Sequence, residues 1–451
     1  MSSIYFAGNY KPMMCGIADY TSFITGESPP GKWGVLSFDL NNSHVPLARG
    51  NISMPERVWY VIPDRYNYSP ADILYGLGQL GADSEDSIIW FQHENGIWPD
   101  NEQFVNLLRK LDMPRIITFH TLHFQSAETP NGLRINEYNM LEKMLPHVEA
   151  VTVFSKGVFN AVSSAFPEYQ KKIHILKHGI HSYPEINRLN RREARQRFND
   201  FLLYESDLKK TIKEDLQKRN VFLDSKTVII GQTGFLSPDK QSEMLYAVRG
   251  ELQRLIPGRR VIALRIGSTR DSVQEVYAEN LIKLHHDSND FLIDVWLPQN
   301  ILPLAQRAFD INFYWPNNCT QSGVLAHALG AGAIIAGRDL EGVGETLKEA
   351  GEIADTSLWK LLLKIKRLIL NPDLQQNLEE TVREYAARFS WKKQARIHYE
   401  LGEHVLSLEP AHRISRFGLD TVPVSASGVD RDSSGLTATA QASNFSPNTL
   451  P

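Results

Sequence analysis

The sequence predicts an α/β protein of two Rossmann-like, doubly wound units facing each other across a cleft. Three observations carry that prediction. Short β-branched and aromatic runs alternate with helical patterns along most of the chain. The alternation breaks once, over a charged stretch, and then restarts. The runs are also almost continuously apolar, as strands covered on both faces require.

In the first half, strands are expected at Ile4–Ala7, Arg57–Pro63, Ser87–Gln92, Arg115–His120, Ala150–Ser155 and Lys172–His178. Helical patterns at Asn101–Leu111, Asn136–Pro146 and Lys156–Phe166 lie between them. Residues 188–224 are charge-rich and helix-prone without a strand signal, and read as a linker with a helical insertion. Strands resume at Thr227–Gln232, Arg260–Ile266, Phe291–Leu297, Asp310–Trp315 and Ala333–Ala336. The implied division is a first unit at 1–185, the insertion at 186–225, a second unit at 226–390, a closing helix at 391–408 and a tail at 409–451. The tail is rich in Ser, Thr, Ala, Gly and Asn, with too few large apolar residues to fold, so disorder is expected there.

A chain of 451 residues, 42% hydrophobic and 22% charged, suits a soluble globular protein with two large domains. The formal net charge of −4, with the basic residues scattered, argues against a nucleic-acid partner. No apolar run reaches the roughly 20 residues of a membrane span, and the first residues lack the pattern of a signal peptide. Peripheral contact with a membrane stays open. Two distant cysteines, Cys15 and Cys319, give no disulfide framework and fit a reducing compartment, so a cytoplasmic location is expected.

Several motifs bear on chemistry. "GFLSPDKQ" (234–241) leaves an apolar strand with Gly, Pro and Asp and leads into a helix beside Lys240. It is either an ordinary loop or an anion site made of a helix N-terminus and a lysine. "TQSGVLAHALGAGAIIAG" (320–337) repeats the theme, with Ser322 and Gly323 opening a short helix and Gly330–Gly332 closing it. Two such helix starts in one unit favour a diphosphate site. "CGIADYT" places Gly16 at a turn where a ligand or the facing domain can approach the backbone. His120, in "TFHTLHF", sits at the carboxyl end of a central strand, and His93 and Glu94, in "QHENG", at another. Neither "QHENG" nor any Cys–His cluster has metal-ligand spacing, so neither metal nor cofactor is expected. "GLGQLG" (76–81) matches the dinucleotide fingerprint by letters, but a helix start precedes it and a strand follows, so it is rejected.

On these residues the chain resembles the family 4 retaining glycosyltransferases (glycosyl transferases group 1), of the GT-B fold, over about residues 4 to 405. "MMCGIADYT" is similar to that family's glycine-rich turn, and His120 to its strand-ending histidine. "GFLSPDK" resembles its "G-R-L-x-x-x-K" phosphate segment, with Phe235 in place of the arginine. "AHALGAG" resembles its donor helix, with Cys319 and His327 where the family has two glutamates. "FSWKKQARIHYEL" is similar to its closing helix. The resemblance implies metal-independent, retaining transfer of a sugar from a nucleotide-diphosphate donor to a glycan, lipid-linked or small-molecule acceptor. His120 would contact the transferring sugar. Gly16, Lys240, Ser322, Gly323 and Glu345 would hold the donor, with Glu341 a further substitute for the missing glutamates. His93 and Glu94 would lie on the acceptor side. Two rivals remain: a sugar-nucleotide epimerase on the same fold, and a non-catalytic GT-B partner subunit.

Overall fold

The computed structural model describes residues 3–48, 57–82, 86–284 and 288–408. The tail expected at 409–451 lies outside the described residues. Apolar runs too short for anything but strands, each followed by a helix, can pair side by side only through crossover connections. The first sheet contains β1 (Ser3–Ala7), β2 (Trp33–Phe38), β3 (Val58–Ile62), β4 (Ser87–His93), β5 (Arg115–Phe119), β6 (Ala150–Val153) and β7 (Ile173–Ile175), in the order β3-β2-β1-β4-β5-β6-β7. The second contains β8 (Thr227–Thr233), β9 (Arg260–Gly267), β10 (Asp290–Asp294), β11 (Ile311–Tyr314), β12 (Ile335–Arg338) and β13 (Ile353–Asp355), in the order β10-β9-β8-β11-β12-β13. Every pairing is parallel. Both sheets reverse their winding once, between β1 and β4 and between β8 and β11, and such switch points are where doubly wound sheets bind ligands.

The first sheet is accompanied by α1 (Gly16–Glu27), α2 (Pro70–Gln79), α3 (Asn101–Lys110), α4 (Ile135–Met144) and α5 (Lys156–Ala165). Between the sheets run α6 (Pro184–Asn187), α7 (Arg191–Asp200) and α8 (Lys210–Lys218). The second sheet carries α9 (Ser242–Leu255), α10 (Ser272–Leu284), α11 (Leu302–Ala308), α12 (Gly323–Gly330), α13 (Glu341–Glu349), α14 (Leu358–Ile369) and α15 (Pro372–Arg388), and α16 (Trp391–Ser407) follows. Their starts follow local chemistry. Ser155 accepts from the Val158 amide at 3.1 Å, Asn190 and Glu193 form a reciprocal capping box, and Asn371 caps α15 ahead of Pro372.

Three features depart from the sequence reading. β2 and β13 carry no expected counterpart. Residues 186–225 hold no strand, but they are no loose linker: Ala194, Phe198, Leu202, Leu216 and Phe222 are buried against the second sheet in one core cluster with Ile229, Ile262 and Ile293. The strand expected at Ala333–Ala336 runs two residues later, as β12. The rejected "GLGQLG" does lie at the end of α2, with Gly81 at φ +67 just beyond it.

The last helix returns to the first sheet. Trp391, Leu401 and Val405 of α16 share a core cluster with Ile4, Phe6, Ile88 and Trp90. The two chain crossings between the sheets lie side by side: the Ile180 amide donates to the Phe389 carbonyl at 2.9 Å, and the Trp391 amide to the Ile180 carbonyl at 3.2 Å.

Candidate functional site

The carboxyl ends of β1 and β8, with the loops after β5 and β11, bring together most of the residues singled out from the sequence. At the first switch point α1 opens at Gly16 after an extended Cys15 that offers no side-chain cap. A Cβ built on Gly16 meets nothing within 4 Å, and the same holds for Gly323 at the start of α12. Both helix N-termini therefore present backbone beside open space, the surroundings an anion needs. Ser322 caps α12, its hydroxyl accepting from the Leu325 amide at 3.4 Å.

The "GFLSPDK" loop is held from below. Arg265 of β9 is fully buried and donates to the carbonyls of Gln232, Gly234, Phe235 and Ile266 and to Ser242 Oγ. Burial lowers its pKa to about 10. Gly234, at φ +106, brings its carbonyl so close to Gly267 that a Cβ there would lie 1.7 Å from the oxygen. Above this pillar Lys240 places its ammonium 3.3 Å from Tyr314 Oη and 5.5 Å from the centre of that ring. Interaction with Tyr314 raises the Lys240 pKa against the opposing pull of burial, so the lysine is firmly cationic. Tyr314 Oη lies 3.3 Å from Cys319 Sγ, which donates to the Gln321 carbonyl at 3.0 Å. Phe235, at the family's arginine position, stacks instead beneath the Arg270 guanidinium, 4.0 Å from ring centre to Cζ, and beside Trp296.

His120 follows β5. Its Nε2 lies 2.8 Å from Gln92 Oε1, an arrangement that puts the proton on Nε2 and leaves the Nδ1 lone pair. Burial, and then the nearby imidazoles of His178, His93 and His398, lower its pKa to about 3, so it is neutral at physiological pH. Tyr20 meets it edge-on at 4.9 Å. Gln92 is a contact that sequence reasoning missed, although period-two alternation along β4 aims Gln92 at the His120 side.

That same alternation corrects His93. Its ring turns to the opposite face, 2% exposed, between Phe104 and Phe119, and burial takes its pKa to about 3. A side chain packed there is not presented to an acceptor. Glu94 is partly exposed, accepts from the Gly96 amide at 2.8 Å, and has its pKa raised by burial.

Glu341 and Glu345 occupy α13, and both reach across to the first sheet's loops. Glu341, in the left-handed region at φ +47, accepts from the Phe124 and Gln125 amides at 2.9 and 3.1 Å. Glu345, expected on the donor, accepts from the Lys156 and Gly157 amides at the N-terminus of α5, at 2.6 and 2.9 Å, and from Lys177 Nζ at 2.9 Å. Burial alone would raise its pKa; the Lys177 and backbone hydrogen bonds outweigh it and hold the carboxyl below 4.5. Asn318 meets His123 at 2.9 Å and Thr320 donates to the His120 carbonyl at 3.2 Å, so the second unit also touches the first through the loop after β11. Between His178 and Ser322 lies a cavity of about 10 Å³, near one water molecule.

His327, at a family glutamate position, stacks face to face on His181 at 3.9 Å and hydrogen-bonds Tyr183. Burial lowers the pKa values of His181 and His327 to about 2 and about 4. Among the described residues, no three His, Cys, Asp or Glu side chains converge as metal ligands, and no helix is long and apolar enough to cross a membrane.

No family model matches this chain. No curated protein matches it either. Solved structures do. Sucrose-phosphate synthase from Thermosynechococcus elongatus is 14% identical, with a TM-score of 0.61 over 91% of this chain and 100% of that one. A UDP-forming α,α-trehalose-phosphate synthase from Burkholderia vietnamiensis is 12% identical, with a TM-score of 0.61 over 92% of this chain and 100% of that one. HepE from Anabaena, solved in complex with UDP and glucose, is 14% identical, with a TM-score of 0.59 over 90% of this chain and 100% of that one. At these identities the likeness is one of fold. The chain has the two-domain GT-B architecture of these enzymes, with paired parallel sheets whose carboxyl ends face one another.

Proposed function

We propose that this protein is a glycosyltransferase that takes a sugar from a nucleotide-diphosphate donor, with retention and without a metal. One observation carries the reading: Lys240 and the uncrowded N-terminus of α12 at Gly323 follow β8 and β11, the two strands that meet at the second sheet's switch point. A departing diphosphate needs its growing charge matched by fixed donors. Lys240 supplies a full charge, and the amides at Ser322–Gly323 and Gly16 supply oriented dipoles. Neutral His120 offers the Nδ1 lone pair to a sugar or acceptor hydroxyl, as a hydrogen-bond acceptor that steers the hydroxyl.

UDP sugars are the first donors to test, since HepE was solved with UDP and glucose and the trehalose-phosphate synthase is UDP-forming. The acceptor we assign only as a glycan, lipid-linked or small-molecule hydroxyl. The test incubates purified protein with each nucleotide sugar in turn and follows free nucleotide, with NMR of the anomeric carbon in any product. Slow nucleotide release with retained configuration supports the reading. A 2-epimer would move the assignment to an epimerase. A second reading, a non-catalytic partner, is favoured by Phe235 at the phosphate arginine and by His327 stacked away on His181. It predicts no nucleotide binding by calorimetry.

A further inference from the structure

α14 has two apolar faces. Leu361, Leu362, Ile365, Leu368 and Ile369 are buried against the second sheet. The opposite face leaves Trp359 53%, Leu363 44% and Leu370 56% exposed, spaced by four and seven residues along one stripe of the helix. A helix that buries one face has no structural need for a second, and an exposed stripe holding a tryptophan marks a contact surface.

The charges on the helix itself all have one sign. The helix LWKLLLKIKRLI carries Lys360, Lys364, Lys366 and Arg367 and no acidic residue, in a chain whose net charge is −4. Lys364 is paired with Asp355 at 2.9 Å. Lys360 and Arg367 are exposed on the stripe's own side, and Lys366 is partly so.

We propose that this face of α14 docks on an anionic lipid surface. Trp359, Leu363 and Leu370 would enter the headgroup boundary while Lys360, Lys366 and Arg367 meet the lipid phosphates, the pairing of apolar and basic side chains that interfacial helices use. Charge complementarity favours lipid over a second copy of this chain. A two-fold contact would press this basic helix face against an identical basic face. α14 lies with α9 in one core cluster, whereas α12 and α13, which carry Gly323 and the Glu341 and Glu345 contacts to the first sheet's loops, belong to another.

The test is co-sedimentation of the full chain with vesicles of phosphatidylglycerol and phosphatidylcholine in equal parts, against vesicles of phosphatidylcholine alone. The chain should pellet with the anionic vesicles only, and raised salt should release it. Lys360→Glu with Arg367→Glu should lower partitioning by roughly tenfold or more. Trp359→Ser with Leu363→Ser should do the same, with unchanged melting curves showing that both variants are folded. Wild-type protein left in the supernatant, or both variants pelleting like wild type, would overturn the proposal. A concentration-dependent dimer in light scattering that disappears in the Trp359→Ser, Leu363→Ser variant would assign the face to a second copy instead.

Discussion

Removing the Glu345 carboxylate should open the cleft. That carboxylate accepts three hydrogen bonds, two from the first amides of α5 and one from Lys177, with its side chain 18% exposed. A hydrogen bond to a charged group contributes about 1.5–3 kcal/mol, and a carboxylate at a helix N-terminus adds about 0.3–1 kcal/mol. The three do not add. Lys177 keeps its second partner, Glu349, at 2.8 Å, and the α5 amides regain water once the cleft parts. Glu345→Ala should therefore weaken the contact between α13 and α5 by about 2–3 kcal/mol, a shift of roughly 30- to 150-fold in the closed-to-open ratio. Small-angle scattering should show a larger radius of gyration, and Glu345→Gln should fall between. In a cycle with Lys177→Ala, the two effects should be less than additive, because the Glu345–Lys177 bond is lost only once, while each variant keeps a remainder of its own: the Lys177–Glu349 pair and the two α5 amide bonds. Acid should mimic the variant. The folded-state pKa of Glu345 lies below its ordinary value, so its contribution is full above about pH 4.5 and disappears as pH falls through the depressed value. A folded Glu345→Ala protein with unchanged radius and additive effects would refute the reasoning.

Lys240→Ala should weaken nucleoside-diphosphate binding in calorimetry by about 1.5–3 kcal/mol and leave the melting temperature near wild type; unchanged affinity would remove Lys240 from the site. His120, His178, His181, His327 and His398 all have pKa values lowered by burial, to between about 2 and about 4, so the folded chain refuses protons that the unfolded chain accepts below pH 6.5. Their stability is present above that pH and falls as pH drops, by about 1.4 kcal/mol per pH unit for each histidine that stays neutral, and melts at about pH 7.5 and pH 5 should show it. Gly267→Ala should cost more than about 4 kcal/mol in urea unfolding, because the new Cβ meets the Gly234 carbonyl, whereas Gly258→Ala, with nothing within 4 Å, should be near neutral.

The two sheets were legible because their strands are buried on both faces and announce themselves as unbroken apolar runs. β2 escaped because Gly34 and Ser37 interrupt "WGVLSF", yet Gly34 is there for packing: a Cβ on it would lie 2.8 Å from the Tyr5 ring and 2.9 Å from Leu80. β13 is three residues long, below any pattern. The addresses of Gly16, His120, Lys240 and Gly323 were readable because a strand's carboxyl end is a local fact. The partners of Glu341 and Glu345 were not, since they lie 168 to 217 residues away along the chain. No local signal tells a carboxylate that binds a sugar from one that caps a helix in the facing domain. For His93 the signal is in the sequence itself: strand alternation puts it with Ile89 and Phe91 on the face away from His120.

The return of α16 to the first sheet fixes an order of events during synthesis. Ile4, Phe6, Ile88 and Trp90 are covered by Trp391, Leu401 and Val405, residues made only after the whole second sheet. A growing chain emerges N-terminus first at about 5–20 residues per second. The first half therefore leaves the ribosome with one face of its sheet only partly covered, by Tyr20 and Ile24 of α1, and waits tens of seconds at the slower rates for the rest of its cover. Over that interval an apolar surface holding two aromatic rings is open to water and to neighbouring chains. Expression should accordingly depend on chaperones that hold nascent protein, and a chain ending before Trp391 should be recovered aggregated even when both sheets are encoded in full.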